Sequence, residues 1–233
     1  MKQLVDFFQD KKVKKVLDVG TGSGNFLAVL KSACPDADIT GIDPNSESLK
    51  EAAEKFPEVR LKKMSAENIE LPENYFDVTS ISMALHHLSD VEGALKEMKR
   101  VTKPNGWIIV SELFSDNLNR AQEVHKMYHH FGSRIDRILG VSHNKSFKKN
   151  DILKTVEDCG IDILFHFEYN KVVNTVLTPE ELAARVKKMK ERIETINHFS
   201  EYEMLKSQIE QFRINAEKYG FQSATRVVIV GKN

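Results

Sequence analysis

The stretch Val16-Leu17-Asp18-Val19-Gly20-Thr21-Gly22-Ser23-Gly24, residues 16–24, decides the fold. The mainly apolar run 13–19 predicts a buried strand, although two lysines interrupt its start. Residues 25–33 predict a helix, and its apolar face consists of Phe26, Leu27, Val29 and Leu30. The three alternate glycines therefore lie in the tight turn from strand to helix, where a missing Cβ lets backbone N–H groups approach a ligand closely.

The spacing of these glycines distinguishes two kinds of nucleotide site. A dinucleotide fingerprint requires G-x-G-x-x-G/A, and the sixth position counted from Gly20 is Asn25. This departure disfavours an NAD-dependent oxidoreductase. The observed D-x-G-x-G-x-G pattern instead resembles motif I of the class I methyltransferases that use S-adenosylmethionine (SAM). The resemblance implies that Gly20, Gly22 and Gly24 hold the methionyl end of SAM, and that Asp18 supports the turn and the cofactor's ammonium group.

Composition limits the classes of partner. The chain has 233 residues, a length that suits one large α/β domain, and its 34 basic residues balance 34 acidic ones. Balanced charge gives no electrostatic signature of nucleic-acid or membrane binding, so we expect neither partner. Cys34 and Cys159 are far apart without metal-ligand spacing, which indicates a reducing compartment. With no apolar run long enough for a bilayer and no signal peptide at its start, the chain is expected to be cytoplasmic.

An acidic residue follows the second predicted strand, residues 38–42. Asp43 lies about 20 residues beyond the glycine turn, where an acid binds the ribose hydroxyls of a nucleotide in such folds. The alternative is an N-cap of the helix 47–55, but Ser46 is the better candidate for that cap. We therefore assign Asp43 to the ribose and place its neighbour Pro44 in the same site.

The segment 64–72 resembles the G-D-A-E-N-L-P motif of the UbiE-like (methyltransferase type 11) group. In that motif the aspartate meets the adenine amino group, and Ser65 stands in its place here. A hydroxyl can accept the same hydrogen bond, although without charge assistance. The resemblance therefore assigns Ser65 and Ala66 to the adenine site.

Two later phrases resemble the same group. Residues 76–88 resemble F-D-x-V-x-S…L-H-H-L, and residues 99–112 resemble K-R-V-x-K-P-N-G-x-x-x-V-x-E. The resemblance implies that the backbone of Ser82 faces the ammonium group of SAM and that His87 faces the substrate. We interpret His87 as a substrate contact or a general base, since histidine titrates near neutral pH. The alternative is that His86 or His87 only packs at the end of a strand.

Strands and helices alternate five times, which predicts a parallel, doubly wound sheet. The resemblance extends from Val16 to about Glu168 and includes the final strand, 222–230. It implies an α/β, seven-stranded, Rossmann-like methyltransferase sheet with helical insertions. We expect a single domain over residues 1–233, with a helical lid at 113–145 and a helical hairpin inserted at 178–219.

The inserted hairpin carries its own sequence signals. Capping boxes begin at Thr178, which Pro179 follows, and at Ser200. Two apolar stripes have coiled-coil-like spacing: Leu182, Val186, Met189, Ile193 and Ile196, then Tyr202, Leu205, Ile209, Phe212, Ala216 and Tyr219. We predict antiparallel helices that turn at 197–200 and project from the sheet edge. They form part of the substrate pocket or a homodimer contact, with a surface decoration as the alternative.

The predicted helix 116–139 carries further polar and aromatic side chains. His125 and His129 are four residues apart on one face, a spacing that suits a metal. Because no cysteine or acid stands at ligand spacing beside them, we expect no metal and favour a polar face over the active-site mouth. Tyr128 is a candidate catalytic or substrate contact, with core packing as the alternative.

Together these features predict an enzyme that moves a methyl group from SAM to a small-molecule acceptor by in-line displacement, with SAM supplying the reactivity. The alternatives are methylation of a tRNA or a protein, and a SAM-binding sensor or assembly protein that transfers no methyl group.

Overall fold

Seven strands form one sheet in the computed structural model, which describes residues 1–170 and 175–233. The strands are β1 (Lys15–Val19), β2 (Asp38–Asp43), β3 (Arg60–Lys63), β4 (Phe76–Ser82), β5 (Thr102–Leu113), β6 (Asp162–Tyr169) and β7 (Arg226–Lys232). They lie in the order β3-β2-β1-β4-β5-β7-β6. The predicted α/β, seven-stranded sheet is therefore confirmed.

Eight α-helices belong to the described residues. They are α1 (Lys2–Phe8), α2 (Leu27–Ala33), α3 (Ser46–Lys55), α4 (Val91–Val101), α5 (Arg120–Ile138), α6 (Lys149–Asp158), α7 (Pro179–Ile193) and α8 (Tyr202–Tyr219). Among these helices, none is both long and apolar enough to cross a membrane.

The register of the sheet brings the ends of several strands to one edge. β1 pairs in parallel with β2 and β4, with Val19 opposite both Ile42 and Ile81. The residues that follow these three strands therefore meet at the carboxyl edge, where ligands bind in open α/β sheets. β7 runs antiparallel to β5, because Asn233 N donates to Gly106 O at one end of the pair.

The opposite edge of the sheet is fixed by Asp77. Its carboxylate accepts hydrogen bonds from the backbone N–H groups of Lys14 and Lys15, both at 2.9 Å, and pairs with the ammonium of Lys103. One side chain thus joins the starts of β1, β4 and β5. Burial raises the pKa of Asp77, but these donors outweigh it and hold the pKa below its ordinary value.

Residues 102–106 form a turn inside β5. The pairing of β5 with β4 jumps from Thr102 opposite Phe76 to Trp107 opposite Val78, and Asn105 between them has φ of +61°. Four residues therefore leave the regular ladder, as a turn requires, before the strand resumes.

Two predicted helix caps are corrected. Asn45, not Ser46, caps α3, because its side chain accepts from Glu47 N and Ser48 N at 2.9 and 3.1 Å. The second predicted capping box is absent: α8 has Glu201 at its N-cap without a side-chain cap, and the Ser200 hydroxyl bonds to the Glu201 carboxylate instead. The box at Thr178 is confirmed, with Glu181 as its reciprocal partner.

The chain divides into two compact units, where the sequence predicted one domain with two insertions. The first comprises Met1–Glu112, Asn150–Tyr169 and Val227–Asn233, and it contains nearly the whole sheet. The second comprises Leu113–Lys149 and Asn170–Arg226. The segments predicted as a lid and a hairpin insertion lie in this second unit.

The second unit is held together by three helices. The predicted stripes on α7 and α8 face each other, and α5 joins them in one apolar core. The buried members of this core are Val124, Phe131, Ile135, Met189, Ile193, Ile196, Leu205, Ile209, Phe212 and Ala216. Burying each large apolar side chain contributes about 1.5–3 kcal/mol, so this set offsets the ordering entropy of the hairpin.

Candidate cofactor and active site

The glycine turn follows β1 directly at the carboxyl edge of the sheet. Gly20, Gly22 and Gly24 all have positive φ, at +65°, +51° and +84°. A Cβ at Gly20 would lie 2.6 Å from the Cβ of Ala84, so the turn packs closely against the segment after β4. A Cβ at Gly22 would meet no atom of the described residues within 4 Å, so this backbone borders open space that a ligand can enter.

Asp18 stabilises the glycine turn through a hydrogen bond to Thr21. Its side chain is 1% exposed and accepts hydrogen bonds from the hydroxyls of Ser80 and Thr21, both at 2.7 Å. Burial raises the pKa of Asp18 to about 6; the two hydroxyls oppose this shift, and the negative charge of Asp43 adds to it. Asp18 is thus bonded to the turn through Thr21, while its contact with the SAM ammonium group stays a prediction.

Asp43 joins the end of β2 to the same turn. Its Oδ2 accepts from Gly22 N at 2.9 Å and its Oδ1 accepts from Asn45 N at 2.8 Å. A carboxylate has about four lone-pair sites, so two accepted bonds leave capacity for ribose hydroxyls. The structure therefore brings Asp18, the glycine turn and Asp43 into one bonded set, and the exposed Pro44 follows directly. The ribose contact stays a prediction.

Ser65 is hydrogen-bonded to the carboxylate of Glu67, a contact that the sequence analysis did not predict. The Ser65 hydroxyl donates to the Glu67 carboxylate, whose other oxygen accepts from Ser89 N and Oγ at 3.2 and 3.1 Å. Burial raises the pKa of Glu67, but these donors outweigh it and lower the pKa, so the group stays charged at neutral pH. With its proton directed at Glu67, Ser65 Oγ can serve as an acceptor, and Ala66 beside it is buried.

The segment after β4 turns sharply. Ser82 lies opposite Ser111 in the sheet, and Met83 N donates to Ser111 O at 2.8 Å. Met83 has φ of +58°, a left-handed conformation that costs energy for a residue with a side chain. A 3-10 helix, Leu85–His87, follows this residue at the carboxyl edge of β4.

The two adjacent histidines of this segment differ in their surroundings. His87 is exposed, whereas His86 is buried at 5% exposure and its Nδ1 lies 2.9 Å from Oε1 of Glu112. Glu112 itself is 1% exposed and lies in β5. The sequence reasoning put weight on His87 and missed this pair. The glutamate that ends the K-R-V…V-x-E phrase was the available signal, since β5 lies beside β4.

Tyr128 lies in the second unit. Its ring contacts those of Phe212 and Phe221, with centroid distances of 5.4 and 5.9 Å. It also borders a cavity of about 580 Å³ within that unit. The ring is thus part of the helical packing and of a cavity wall, and its predicted catalytic or substrate role stays a prediction.

His125 borders the same cavity and is stacked on His129 at 6.4 Å between ring centroids. Burial lowers the pKa of His125 to about 4, and the positive charges of Arg185 and Arg226 lower it further. His125 is therefore neutral at physiological pH.

Comparison with known proteins relates this arrangement to a family. Residues 17–110 match the family model described as a methyltransferase domain. A demethylmenaquinone methyltransferase of Staphylococcus aureus is 33% identical over 125 residues, which cover 52% of each chain. The ubiquinone/menaquinone biosynthesis C-methyltransferase UbiE of Burkholderia cenocepacia is 32% identical over 118 residues, covering 48% of this chain and 49% of that one. The chain spans about half the length of the curated relatives it matches.

Solved structures show the same fold over the whole chain. A putative methyltransferase from Bacillus halodurans has a TM-score of 0.65 at 20% identity, covering 99% of this chain and 97% of that one. The YcgJ protein of Bacillus subtilis has a TM-score of 0.63 at 18% identity, covering 100% and 97%. At these identities the likeness is one of fold alone. The match over residues 17–110 to a methyltransferase domain, with the curated relatives, confirms the predicted resemblance: this segment is similar to the class I, UbiE-like methyltransferases.

Proposed function

We propose that the protein transfers a methyl group from SAM to a small-molecule acceptor. The observation that carries this proposal is the bonded set of Asp18, Thr21, Gly22 and Asp43 at the carboxyl edge of β1 and β2. This set lies inside the segment that matches the methyltransferase family. The curated relatives named for quinone precursors favour a small-molecule acceptor over tRNA or protein.

The residues of this edge fit the chemical groups of SAM. Open space at Gly22 leaves room beside the backbone of the turn, as a bound methionyl group requires. Asp43 offers carboxylate lone pairs to the two ribose hydroxyls, and Asp18 holds the turn in shape through Thr21. The backbone at Ser82, at the adjacent end of β4, provides carbonyl groups for an ammonium.

Ser65 and Glu67 complete the cofactor site in this proposal. Ser65 Oγ accepts a hydrogen bond from the adenine amino group, and Glu67 draws the Ser65 proton to the other side. A hydrogen bond polarised by a carboxylate is stronger than one between two neutral groups. Through Ser65, the charge of Glu67 thus strengthens the hydrogen bond to the adenine amino group, which in the family motif an aspartate makes directly.

SAM supplies a methyl carbon that its sulfonium activates towards displacement. The protein contributes binding, alignment of the acceptor and removal of a proton from it. We propose His86 as the proton acceptor, alongside His87, which the motif predicts. With Nδ1–H donated to Glu112, the Nε2 atom of His86 carries the lone pair that can accept a proton.

The test of this function combines binding with turnover. Isothermal titration calorimetry should show that SAM binds the wild-type protein and that Asp43→Ala weakens binding by several kcal/mol, since the ribose hydroxyls lose their acceptor. Asp38→Ala is a matched control, because this exposed acid lies at the opposite end of the same strand. Tight binding of NADH without heat from SAM would refute the proposal.

Turnover identifies the acceptor and separates an enzyme from a sensor. The protein is incubated with a metabolite extract and SAM that carries an isotopically labelled methyl group, and the products are analysed by mass spectrometry. We expect a labelled small molecule together with S-adenosylhomocysteine. Binding of SAM without any labelled product would instead favour a non-catalytic sensor or assembly protein.

A further inference from the structure

Two imidazoles from separate segments of the second unit converge on one point. His129 lies on α5, and His143 lies in the loop that follows this helix. Their Nε2 atoms are 3.3 Å apart, and their rings are nearly perpendicular, with an angle of 79° between the planes. His143 is 8% exposed, and both residues border the cavity of about 580 Å³.

The distance between the two nitrogens suits a tetrahedral metal ion. Zinc binds imidazole nitrogen at about 2.0–2.1 Å, so two such ligands at the tetrahedral angle are about 3.3–3.4 Å apart. The observed 3.3 Å between the Nε2 atoms agrees with this separation. As a direct N–H···N hydrogen bond, by contrast, 3.3 Å is long.

A carboxylate orients one of the two imidazoles. His143 Nδ1 lies 2.7 Å from Oδ2 of Asp136, whose other oxygen bonds to Arg192. With Nδ1 bonded to this carboxylate, Nε2 is the ligand atom of His143, as in carboxylate–histidine–metal sites.

The loop that carries His143 is also held in place. Arg137 Nη1 donates to the backbone carbonyl of His143 at 2.7 Å and to the hydroxyl of Ser133 at 3.3 Å. The position of the imidazole is thus determined from both its backbone and its ring. Such preorganisation is what a metal site needs from its supporting residues.

We propose that Nε2 of His129 and Nε2 of His143 provide two ligands for a divalent transition-metal ion, Zn²⁺ or Co²⁺. The sequence analysis considered His125 as the partner of His129, at a spacing of four residues along α5, and expected no metal there. The structure replaces that partner by His143, while His125 stacks on the ring of His129. Imidazole ligands suit these ions, which prefer nitrogen over an all-oxygen site.

The experiment measures metal binding by the full chain without an affinity tag. Zn²⁺ is titrated by calorimetry, and Co²⁺ is followed by its visible d–d absorption. We expect one equivalent of each ion, and weaker binding by at least about tenfold in His143→Ala and in His129→Ala. Asp136→Asn should weaken binding by about 10–100-fold, the usual effect of removing such a supporting carboxylate.

The matched control is His198→Ala, which removes an exposed histidine from the hairpin turn of the same unit and should leave binding unchanged. Urea unfolding with and without Zn²⁺ gives a second readout, since an ion that binds the folded state raises the unfolding midpoint. His143→Gln, which keeps a polar side chain, replaces the alanine variant if that one fails to fold.

Wild-type protein that binds neither ion, or histidine variants that bind as tightly as His198→Ala, would overturn the proposal. Because the readouts are metal affinity and stability, this result is independent of whether the protein transfers methyl groups.

Discussion

Replacing Asp18 by asparagine should change how the free energy of unfolding depends on pH. Burial of the Asp18 carboxylate raises its pKa from 3.8 to about 6, so the folded protein keeps a proton there that the unfolded chain has released. The stability that Asp18 contributes is therefore fully present below pH 3.8 and is lost as the pH rises through 6. Asparagine has nearly the same shape and cannot ionise, so this dependence disappears in the variant.

The size of the effect follows from the two pKa values. One pH unit corresponds to 1.36 kcal/mol, so the interval from 3.8 to about 6 corresponds to about 3 kcal/mol. Of this, about 2 kcal/mol falls between pH 4.5 and pH 7.5. As the pH rises from 4.5 to 7.5, the free energy of unfolding of Asp18→Asn should thus increase by about 2 kcal/mol relative to that of the wild type.

The assay is urea unfolding of both proteins without ligand at pH 4.5, 5.5, 6.5 and 7.5. Titration of all other groups cancels when the two free energies of unfolding are subtracted at each pH. The control is Asp77→Asn, because the pKa of Asp77 is lowered, so its stability is present at higher pH and is lost on acidification. Because that titration lies at or below pH 3.8, the difference in stability between wild type and Asp77→Asn should stay nearly constant from pH 4.5 to 7.5.

A difference between wild type and Asp18→Asn that stays constant from pH 4.5 to 7.5 would refute this reasoning. So would the same slope in Asp77→Asn, since the titration of Asp77 lies below this pH range. The hydroxyls of Ser80 and Thr21 can rotate to bond the new amide, so a large loss of stability at every pH is not expected.

Three further predictions concern the two units. Phe212→Ala should lower the free energy of unfolding of the second unit by about 3–5 kcal/mol in a urea titration, because the ring is fully buried, whereas Met204→Ala at 40% exposure should change it by less than about 0.5 kcal/mol. Ser65→Ala should weaken SAM binding by about 1–2 kcal/mol in calorimetry, and unchanged affinity would remove this residue from the adenine site. His86→Ala should lower kcat for the acceptor by about 100-fold and Glu112→Gln by less, with circular dichroism to exclude misfolding; equal kcat in all three proteins would leave the pair with a structural role only.

The fold follows from local patterns that the sequence carries by itself. Apolar runs, the glycine turn and the acid after the second strand are local features, and backbone geometry restricts what each can form. These predictions needed no knowledge of distant contacts.

Helix caps were predicted less well because neighbouring residues compete for one position. Asn45 and Ser46 can both accept a hydrogen bond from the first turn of α3, and the choice depends on the backbone angle at which the chain leaves β2. The second hairpin helix begins without a side-chain cap, because the Ser200 hydroxyl bonds to the Glu201 carboxylate instead of to the backbone of the first turn.

The side-chain pairs of the candidate sites depend on the tertiary structure. Ser65 with Glu67 is close in sequence, but the other oxygen of Glu67 is held by Ser89, which folding brings from 22 residues away. His86 meets Glu112 across two adjacent strands, at a separation of 26 residues. His129 meets His143 only because a loop returns to α5.

The sequence by itself therefore determined the fold class and the glycine turn, because each rests on short-range patterns. Only the tertiary structure decided which histidine faces a carboxylate and which imidazoles converge. Those choices depend on strand order, loop path and burial, which set the distance between groups remote in sequence and the cost of leaving a buried polar group unpaired.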